Sequence, residues 1–530
     1  MKARRFLAIL LAAALLLLSL GATAWWWVLA HAPLQLQHRP LAVPLAARFV
    51  PRRAPLCLFL LSDGEEPVAY ARAVAPPAQR GSAAGAIARL RDGAFAAAGL
   101  HYPSELRPWL APEIGLALVA SADPERADGW LLSLRGRGGD GARRFLQRFW
   151  QTRSLAGTDL QISSYRGMGL ISGRGALVGT TVVPIATALV NDDLVLIASG
   201  RGVLEQALDV SQIDALNLAA SDDFRRGIDS LGEGVALLRA RPAALGPWLG
   251  IPPAPLEQAG IDAVLAALRP EGAGLALDAV LSRASPADPE DWTLDPAAPD
   301  RAAALLAHLR GEAGSLALLQ NPAAAPPFLQ PLLARSLADV ASPVPALVAA
   351  AEPSLLLWAR GPAGWLLGTG RNDPGPEALV PALAAEGLIA TPLQLPAGPQ
   401  VQVWTRLAAG EGRRGRAPAG QLAAELAAAR LGQGELAWWS GELTWLEQQL
   451  EDRQGPRRRL EQLRALDRGG AGFQWAAEGR QARALLAGWS PWRLLSGLAG
   501  EPLAESADGL ALALSPEPGG YRLRAHLDLA

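Results

Sequence analysis

The chain has 530 residues, half of them apolar, with 49 basic and 50 acidic side chains. The near-zero net charge excludes the broad basic field that nucleic-acid binding needs, so we expect no nucleic-acid partner. This length predicts at least two domains, each with its own core. Lys2 is the only lysine. Because arginine does not deprotonate in proteins, Schiff-base, P-loop and kinase-type lysine chemistry is excluded beyond that residue.

An uncharged run over residues 6–30 follows three basic side chains and contains three consecutive tryptophans. As a helix it would span about 37 Å, against about 30 Å of bilayer hydrocarbon. We therefore predict a single-pass membrane anchor over residues 1–30, in the bilayer through residues 6–30. Its N-terminus would be cytoplasmic, with the body in the periplasm or thylakoid lumen. The alternative is a signal peptide cleaved after Ala24.

The first half of the body predicts an α+β module over residues 55–285, after a proline-rich linker over residues 31–54. Its first strand, Leu56 to Leu61, contains Cys57, the only cysteine, so no intrachain disulfide is available. We interpret Cys57 as a buried strand residue. The other predicted elements are a helix from Val68 to Ala98 broken at Pro76-Pro77, strands Glu113 to Ala120 and Gly129 to Arg135, a helix from Ala142 to Gln151, strands Leu160 to Tyr165 and Leu189 to Ala198, and a helix from Gly202 to Asp209.

The second half shares short patterns with the first. Gly129-Trp130-Leu131-Leu132 resembles Gly364-Trp365-Leu366-Leu367, and Leu194 to Ser199 resembles Glu435 to Ser440. These matches predict a second, related α+β module over residues 286–530. Adjacent hairpins with interposed helices argue against a doubly wound parallel sheet. The predicted fold class is therefore α+β, with an N-terminal transmembrane helix followed by two related mixed α/β modules with largely antiparallel sheets.

A glycine-rich segment, Gly136 to Gly141, matches the G-x-G-x-x-G pattern, and Asp159 follows at about the spacing of a ribose-binding acid. A dinucleotide site would also require a parallel βαβ unit. The preceding strand is predicted to pair with its neighbour in a hairpin, so we interpret the segment as a strand-to-helix loop. We expect no cofactor.

Histidines and acidic residues give no catalytic or metal-ligating pattern. His101, His308 and His526 lie far apart in the sequence, without ligand spacing, and no G-x-S-x-G elbow is present. Adjacent carboxylates point to different sides of a helix or strand, so turn and capping roles suffice for them. The acidic doublets are Glu65-Glu66, Asp192-Asp193, Asp222-Asp223 and Glu451-Asp452.

Tryptophans are concentrated in the second half. Exposed tryptophans could stack on a ligand or anchor a partner, whereas buried ones would belong to the core. Trp438 and Trp439 are neighbours in a predicted strand, so they face opposite sides and one of them could point outward. The candidate ligand or partner surface consists of Trp438, Trp439, Trp489 and Trp492.

The stretch from Gly99 to Glu113 contains Pro108-Trp109-Leu110-Ala111-Pro112-Glu113. It resembles the signature of an exported, membrane-anchored and mainly cyanobacterial family known as domain of unknown function 3352. The resemblance covers the chain from about Leu45 onward and departs from the family at Ala111, where glycine is usual. It implies no catalytic residue, because the family has no established activity. Pro108, Trp109 and Glu113 are family landmarks, for which we expect structural roles.

These observations favour an uncharacterised, membrane-anchored, exported protein that acts as a non-enzymatic binding or assembly module with a protein partner in the envelope. The favoured compartment is the periplasmic or lumenal face. The alternative is a carboxylate-dependent hydrolase or isomerase of a cell-envelope substrate. A tryptophan-lined groove would favour binding, and converging carboxylates in a cleft would favour the enzyme.

Overall fold

The computed structural model describes residues 32–119, 129–155, 157–175, 183–284, 292–294, 297–338, 342–351, 353–362, 364–370, 376–395, 398–409, 422–451, 455–467 and 470–529. Within these ranges the chain is α+β, with extensive antiparallel sheet. The predicted α+β class and the antiparallel pairing therefore agree with the structure.

The predicted fold class is wrong in its first element, the transmembrane helix. No helix in the described ranges is long and apolar enough to cross a membrane. The longest of them, Arg80–Ala97, has 18 residues. It carries three arginines and an aspartate, and charged side chains are costly in hydrocarbon. The segment predicted as the anchor, residues 6–30, lies outside the described residues.

The chain divides into two compact units. The first comprises residues up to 238, with residues 267–273 and 497–501, and the second comprises residues 239–266, 274–496 and 502–530. Three elements have residues in both units: strands β8 (Ala236–Ala240) and β9 (Ile261–Glu271) and helix α15 (Ser490–Ala499).

The first unit is built on strands that pair in the order β1-β2-β3-β7-β6-β5-β4, each pair antiparallel. Its elements are β1 (Leu56–Leu60), α1 (Glu66–Val74), α2 (Arg80–Ala97), a π-helical turn (Tyr102–Leu106), β2 (Leu110–Val119), β3 (Gly129–Gly136), α3 (Gly141–Leu155), β4 (Gln161–Tyr165), β5 (Met168–Gly175), β6 (Val183–Val190), β7 (Leu194–Ala198), α4 (Arg201–Gln212) and α5 (Asp222–Leu231).

The second unit contains strands that pair in the order β11-β12-β13-β17-β16-β15-β14, again antiparallel. Strand β18 pairs with β11 and β19, and β20 lies between β19 and β10. Its elements are α6 (Pro242–Leu249), α7 (Pro253–Gln258), β10 (Gly274–Arg283), α8 (Ala298–His308), β11 (Ser315–Gln320), α9 (Gln330–Ala338), α10 (Val344–Ala350), β12 (Leu355–Gly361), β13 (Gly364–Gly370), α11 (Pro376–Ala385), β14 (Ile389–Gln394), β15 (Gln400–Ala409), β16 (Leu422–Gln433), β17 (Leu436–Ser440), α12 (Leu443–Leu450), α13 (Arg457–Leu466), β18 (Phe473–Glu478), α14 (Gly479–Gly488), β19 (Ala507–Glu517) and β20 (Gly520–Leu529).

The same strand order occurs twice. We call β1–β7 the first strand set and β11–β17 the second strand set; within each set the third strand pairs with the seventh. The two glycines matched in the sequence, Gly129 and Gly364, begin the third strand of their sets. A helix follows that strand in both sets, α3 in the first and α11 in the second. The two sets therefore provide equivalent positions whose side chains can be compared.

The central strands of each set are covered on both faces, which explains their continuous apolar runs, whereas β14 is exposed along its length. In β7, Leu194 and Leu196 belong to one buried cluster, and Val195 and Ile197 belong to another. A strand covered on one face only would alternate apolar and polar residues. Cys57 in β1 is fully buried, as predicted.

The predicted elements of the first half are largely confirmed, with one instructive difference. The helix break at Pro76-Pro77 separates α1 from α2. The predicted strand from Leu189 to Ala198 is instead the end of β6, a turn and β7. In that turn Asn191 and Asp192 have φ values of 49° and 60°. The turn has three residues, Asn191 to Asp193, and asparagine and aspartate tolerate this left-handed conformation.

Candidate functional site

A pocket opens on one face of the second strand set. Arg430 of β16 is paired directly with Trp439 of β17, and Thr369 of β13 is paired with Ala437. Because directly opposed residues share a face of the sheet, these side chains lie on the same side. Helices α10 and α11 contribute further apolar residues. The pocket, called the Arg430 pocket below, is lined by Val348, Ala351, Pro353, Thr369, Gly370, Leu379, Arg430, Ala437 and Trp439.

The Arg430 pocket is shallow; most of its described lining residues are apolar, but the surface that it leaves accessible is mainly polar. It contains about 300 Å³ of non-atom space, open solvent included, and its enclosed part has room for about one water-sized group. Among the described lining residues, Arg430 and Thr369 supply the charged and hydroxyl side chains, and none is an aspartate or glutamate. The lining therefore combines one cation, one hydroxyl and an apolar wall.

Arg430 is partly buried and carries its charge without a carboxylate. Its guanidinium carbon lies 5.7 Å from the centre of the Trp439 ring, within cation–π range. Burial lowers the pKa of Arg430. Within the described part of the chain, no acidic side chain forms an ion pair with this guanidinium. A desolvated cation of this kind attracts an anion.

The equivalent position in the first strand set is closed. Ile197 is the fourth residue of β7, as Trp439 is of β17, and Ile197 is paired with Thr187 as Trp439 is with Arg430. Thr187 is 1% exposed. The indole Nε1 of Trp150, from α3, donates a hydrogen bond of 2.8 Å to Thr187 Oγ1. The Trp150 ring belongs to the same buried cluster as Ile197.

The four predicted surface tryptophans do not form one surface. Trp438 and Trp439 are 0% and 2% exposed, because each lies in a separate buried cluster on its own face of the sheet. Trp489 is 38% exposed, and its indole donates a hydrogen bond of 2.7 Å to the Leu249 carbonyl. Trp492 packs against the buried cluster of α14. Trp439 is the member of this group that lines the Arg430 pocket.

The family landmarks have structural surroundings. Trp109 is buried and donates from Nε1 to the Glu105 carbonyl at 2.6 Å. A side chain at Gly141 would come within 2.3 Å of Trp109 Cβ, so glycine lets the start of α3 pack on this ring. Pro108 is exposed.

Glu113, the third landmark, fixes the segment that precedes β1. It is 8% exposed. Its carboxylate accepts a hydrogen bond from the Ala46 backbone N–H at 2.8 Å and one from Arg135 at 3.1 Å. A buried carboxylate with two donors has a structural role that needs no ligand.

The glycine-rich segment from Gly136 to Gly141 is a strand-to-helix loop, as interpreted from the sequence. Strand β3 is antiparallel to both of its neighbours, β2 and β7, so no parallel βαβ unit surrounds the loop. The backbone N–H of Arg137 donates to the Trp109 carbonyl at 2.8 Å. The side chain of Arg137 forms an ion pair with Asp63.

Ion pairs also surround the acidic doublet after β1. Arg91 lies between Glu65, at 2.7 Å, and Asp92, at 2.9 Å. Its guanidinium carbon is 4.1 Å from the centre of the buried Tyr102 ring. Burial, and then the charges of Asp63 and Glu65, raise the pKa of Tyr102. The acidic and basic side chains of this cluster therefore pair with one another.

The three histidines of the body are not brought together. His101 lies 2.6 Å from the Ser104 hydroxyl, His308 lies 2.8 Å from the Ala304 carbonyl, and His526 lies 3.6 Å from Asp528. Within the described ranges, no group of three histidine, cysteine, aspartate or glutamate residues is placed to hold a metal ion.

Sequence reasoning missed Arg430 and Thr369. A weak signal was present, since Arg430 interrupts the apolar stretch Ala427-Ala428-Ala429-Arg430-Leu431. A strand covered on both faces has few tolerated places for a cation, so an arginine within it indicates a special position. Only the register of β16 against β17 shows that Trp439 is its neighbour.

Comparisons with known proteins identify the family and add no function. Crystal form I of TP0453 has a TM-score of 0.24 and 11% identity, over 45% of this chain and 78% of that one. Crystal form III has a TM-score of 0.26 and 13% identity, over 51% and 90%. These likenesses are too low to support an argument. No curated protein matches. A family model described as "Protein of unknown function (DUF3352)" matches residues 10–307, more than half of the 530 residues, and the chain belongs to this family, as its sequence predicted.

Proposed function

We propose that this protein is a non-enzymatic binding module and that its ligand occupies the Arg430 pocket. One observation supports the proposal above others. The first strand set closes this position with Trp150 and Thr187, whereas the second strand set leaves it open beside a cation. The first set shows that this strand order can pack without a pocket here.

The energetics of Arg430 support the same proposal. A cation held away from water without a partner carries a desolvation cost. A residue that lowers the stability of the fold is expected at a position where function requires it. The lack of aspartate and glutamate in the described lining favours binding over the alternative, carboxylate-dependent hydrolysis or isomerisation.

Native mass spectrometry of the purified full-length protein tests this proposal. Ala351 lines the pocket, so Ala351→Leu should fill it without removing Arg430. Ala96→Leu, on an exposed position of α2, is the matched control. We expect a small molecule to remain bound to the wild type and to Ala96→Leu, and to be lost from Ala351→Leu.

Two outcomes would oppose the proposal. Equal retention of the molecule by Ala351→Leu would place binding elsewhere. Chemical conversion of the molecule by the wild type, abolished in Ala351→Leu, would favour the enzyme. Affinity purification from envelope extracts tests whether a protein partner accompanies the module.

We also propose that the module acts outside the cytoplasm, on the periplasmic or lumenal side. The three basic residues and the uncharged run over residues 6–30 support export. Alkaline phosphatase fused after residue 54 should be active in cells, because this reporter folds only after export. An inactive phosphatase fusion together with an active β-galactosidase fusion at the same site would contradict export. N-terminal sequencing would show whether the mature chain begins at Met1 or at Trp25.

A further inference from the structure

We infer that the ligand of the Arg430 pocket carries an acidic group, a carboxylate or a phosphate. This inference rests on the proposed function and adds the chemical class of the ligand. The acid would pair with the Arg430 guanidinium, in the lining that also includes the Thr369 hydroxyl.

The donors of the pocket favour an oxyanion. A guanidinium presents a planar fork of N–H groups that matches two oxygens of a carboxylate or phosphate. Thr369, which is 4% exposed, adds a hydroxyl to the same lining. A hydroxyl can donate a further hydrogen bond to an oxyanion.

The charge balance of the pocket discriminates between acidic and neutral ligands. Among the described residues of the lining there is one cation and no anion. A neutral ligand would remove water from Arg430 without forming an ion pair with it, and this desolvation raises the free energy of the complex. An acidic ligand would form an ion pair with Arg430 in a partly desolvated site, where Coulomb attraction is stronger than in water.

The size of the pocket sets how the ligand is placed. Its enclosed part accommodates about one water-sized group, comparable to one oxygen of an acid. The rest of the ligand therefore remains at the mouth of the pocket.

Calorimetric titration of the full-length protein with octanoate, octyl phosphate and octanol tests this assignment. The three probes share one apolar chain and differ in the head group. We expect at least one acid to bind ten-fold or more tightly than octanol, and the two acids to show which oxyanion is preferred. Arg430→Gln should weaken binding of that acid by about ten- to a hundred-fold. Arg406→Gln, at an exposed arginine of β15, should leave it unchanged.

The outcomes separate this inference from the proposed function. Octanol binding as tightly as both acids, or acid binding unchanged by Arg430→Gln, would overturn the acidic ligand while leaving a binding pocket. If none of the three probes binds but native mass spectrometry shows a retained non-acidic molecule, the acidic ligand is likewise overturned and the binding pocket stands. Failure of the probes with no retained molecule would overturn both. Circular dichroism of Arg430→Gln confirms that a loss of binding is not a loss of fold.

Discussion

The indole of Trp150 donates a hydrogen bond of 2.8 Å to Thr187 Oγ1, and in the second strand set Arg430 stands at the position of Thr187. The same ladder position therefore supports a closed core in one set and a charged pocket in the other. Strand order is shared, and the difference comes from the strand residues at this position and from the side chains that the covering helices provide.

Removing the Trp150 side chain should destabilise the first unit strongly. Trp150→Ala leaves a cavity beside Ile197 and removes the donor to Thr187 Oγ1, with an expected loss of about 3–5 kcal/mol. Trp150→Phe keeps most of the packing and loses the hydrogen bond, with an expected loss of about 1–2 kcal/mol. Urea unfolding measures both. Trp248→Ala is the control, because Trp248 is 55% exposed; equal effects at Trp150 and Trp248 would contradict the closed core.

Glu113→Gln tests the landmark as a structural residue. The carboxylate holds the Ala46 N–H and Arg135, and loss of its charge weakens both hydrogen bonds. We expect the free energy of unfolding to fall by about 1–3 kcal/mol, which urea unfolding would show as a lower midpoint. Glu257→Gln, at an exposed position, should have little effect. Unchanged stability of Glu113→Gln combined with lost ligand retention would instead make Glu113 functional.

Two glycines in β10 and β20 should resist substitution to the same degree. A Cβ at Gly274 would lie 2.3 Å from the Leu527 carbonyl oxygen, and one at Gly520 would lie 1.9 Å from that of Leu281. Each clash is with backbone, so each alanine variant should lose about 2 kcal/mol or more. Gly488→Ala is the control, because nothing lies within 4 Å of its added Cβ. Thermal unfolding compares the three; tolerance of either strand substitution would contradict the close approach.

Stability should fall at alkaline pH because of Tyr102. Burial, and then Asp63 and Glu65, raise the pKa of this phenol above its ordinary value of 10.0. The folded state therefore holds the proton more tightly than the unfolded state. Its stabilising contribution is complete below pH 10 and is lost as the pH rises through the folded pKa. Urea midpoints between pH 8 and pH 11 should fall less steeply in Tyr102→Phe than in the wild type, and identical slopes would contradict the shift.

Arg430→Met should raise stability while it removes ligand binding. Methionine fills the apolar lining without a desolvated charge, so we expect a gain of about 0.5–2 kcal/mol. Arg406→Met, at an exposed site, should change stability little. Differential scanning calorimetry without ligand measures both. A strong destabilisation by Arg430→Met would indicate that Arg430 holds the fold together and would weaken the case for a binding role.

Local features were readable from the sequence because they depend on neighbouring residues. The break at Pro76-Pro77 follows from the missing proline N–H. The loop after β3 follows from its glycines. The split of β6 from β7 was missed, because the apolar run continues through a short turn whose signal is only Asn191 and the acidic doublet.

The sequence by itself determined the α+β class, the family, the buried Cys57 and the exclusion of lysine chemistry, since these depend on composition, local pattern and residue type. Tertiary structure decided which tryptophans are buried, because burial of Trp438 and Trp439 requires cover on both faces of the sheet. It also decided the pocket, because Arg430, Trp439, Thr369 and Leu379 come from four elements. Strand register brings the first three onto one face, and the packing of α11 adds the fourth.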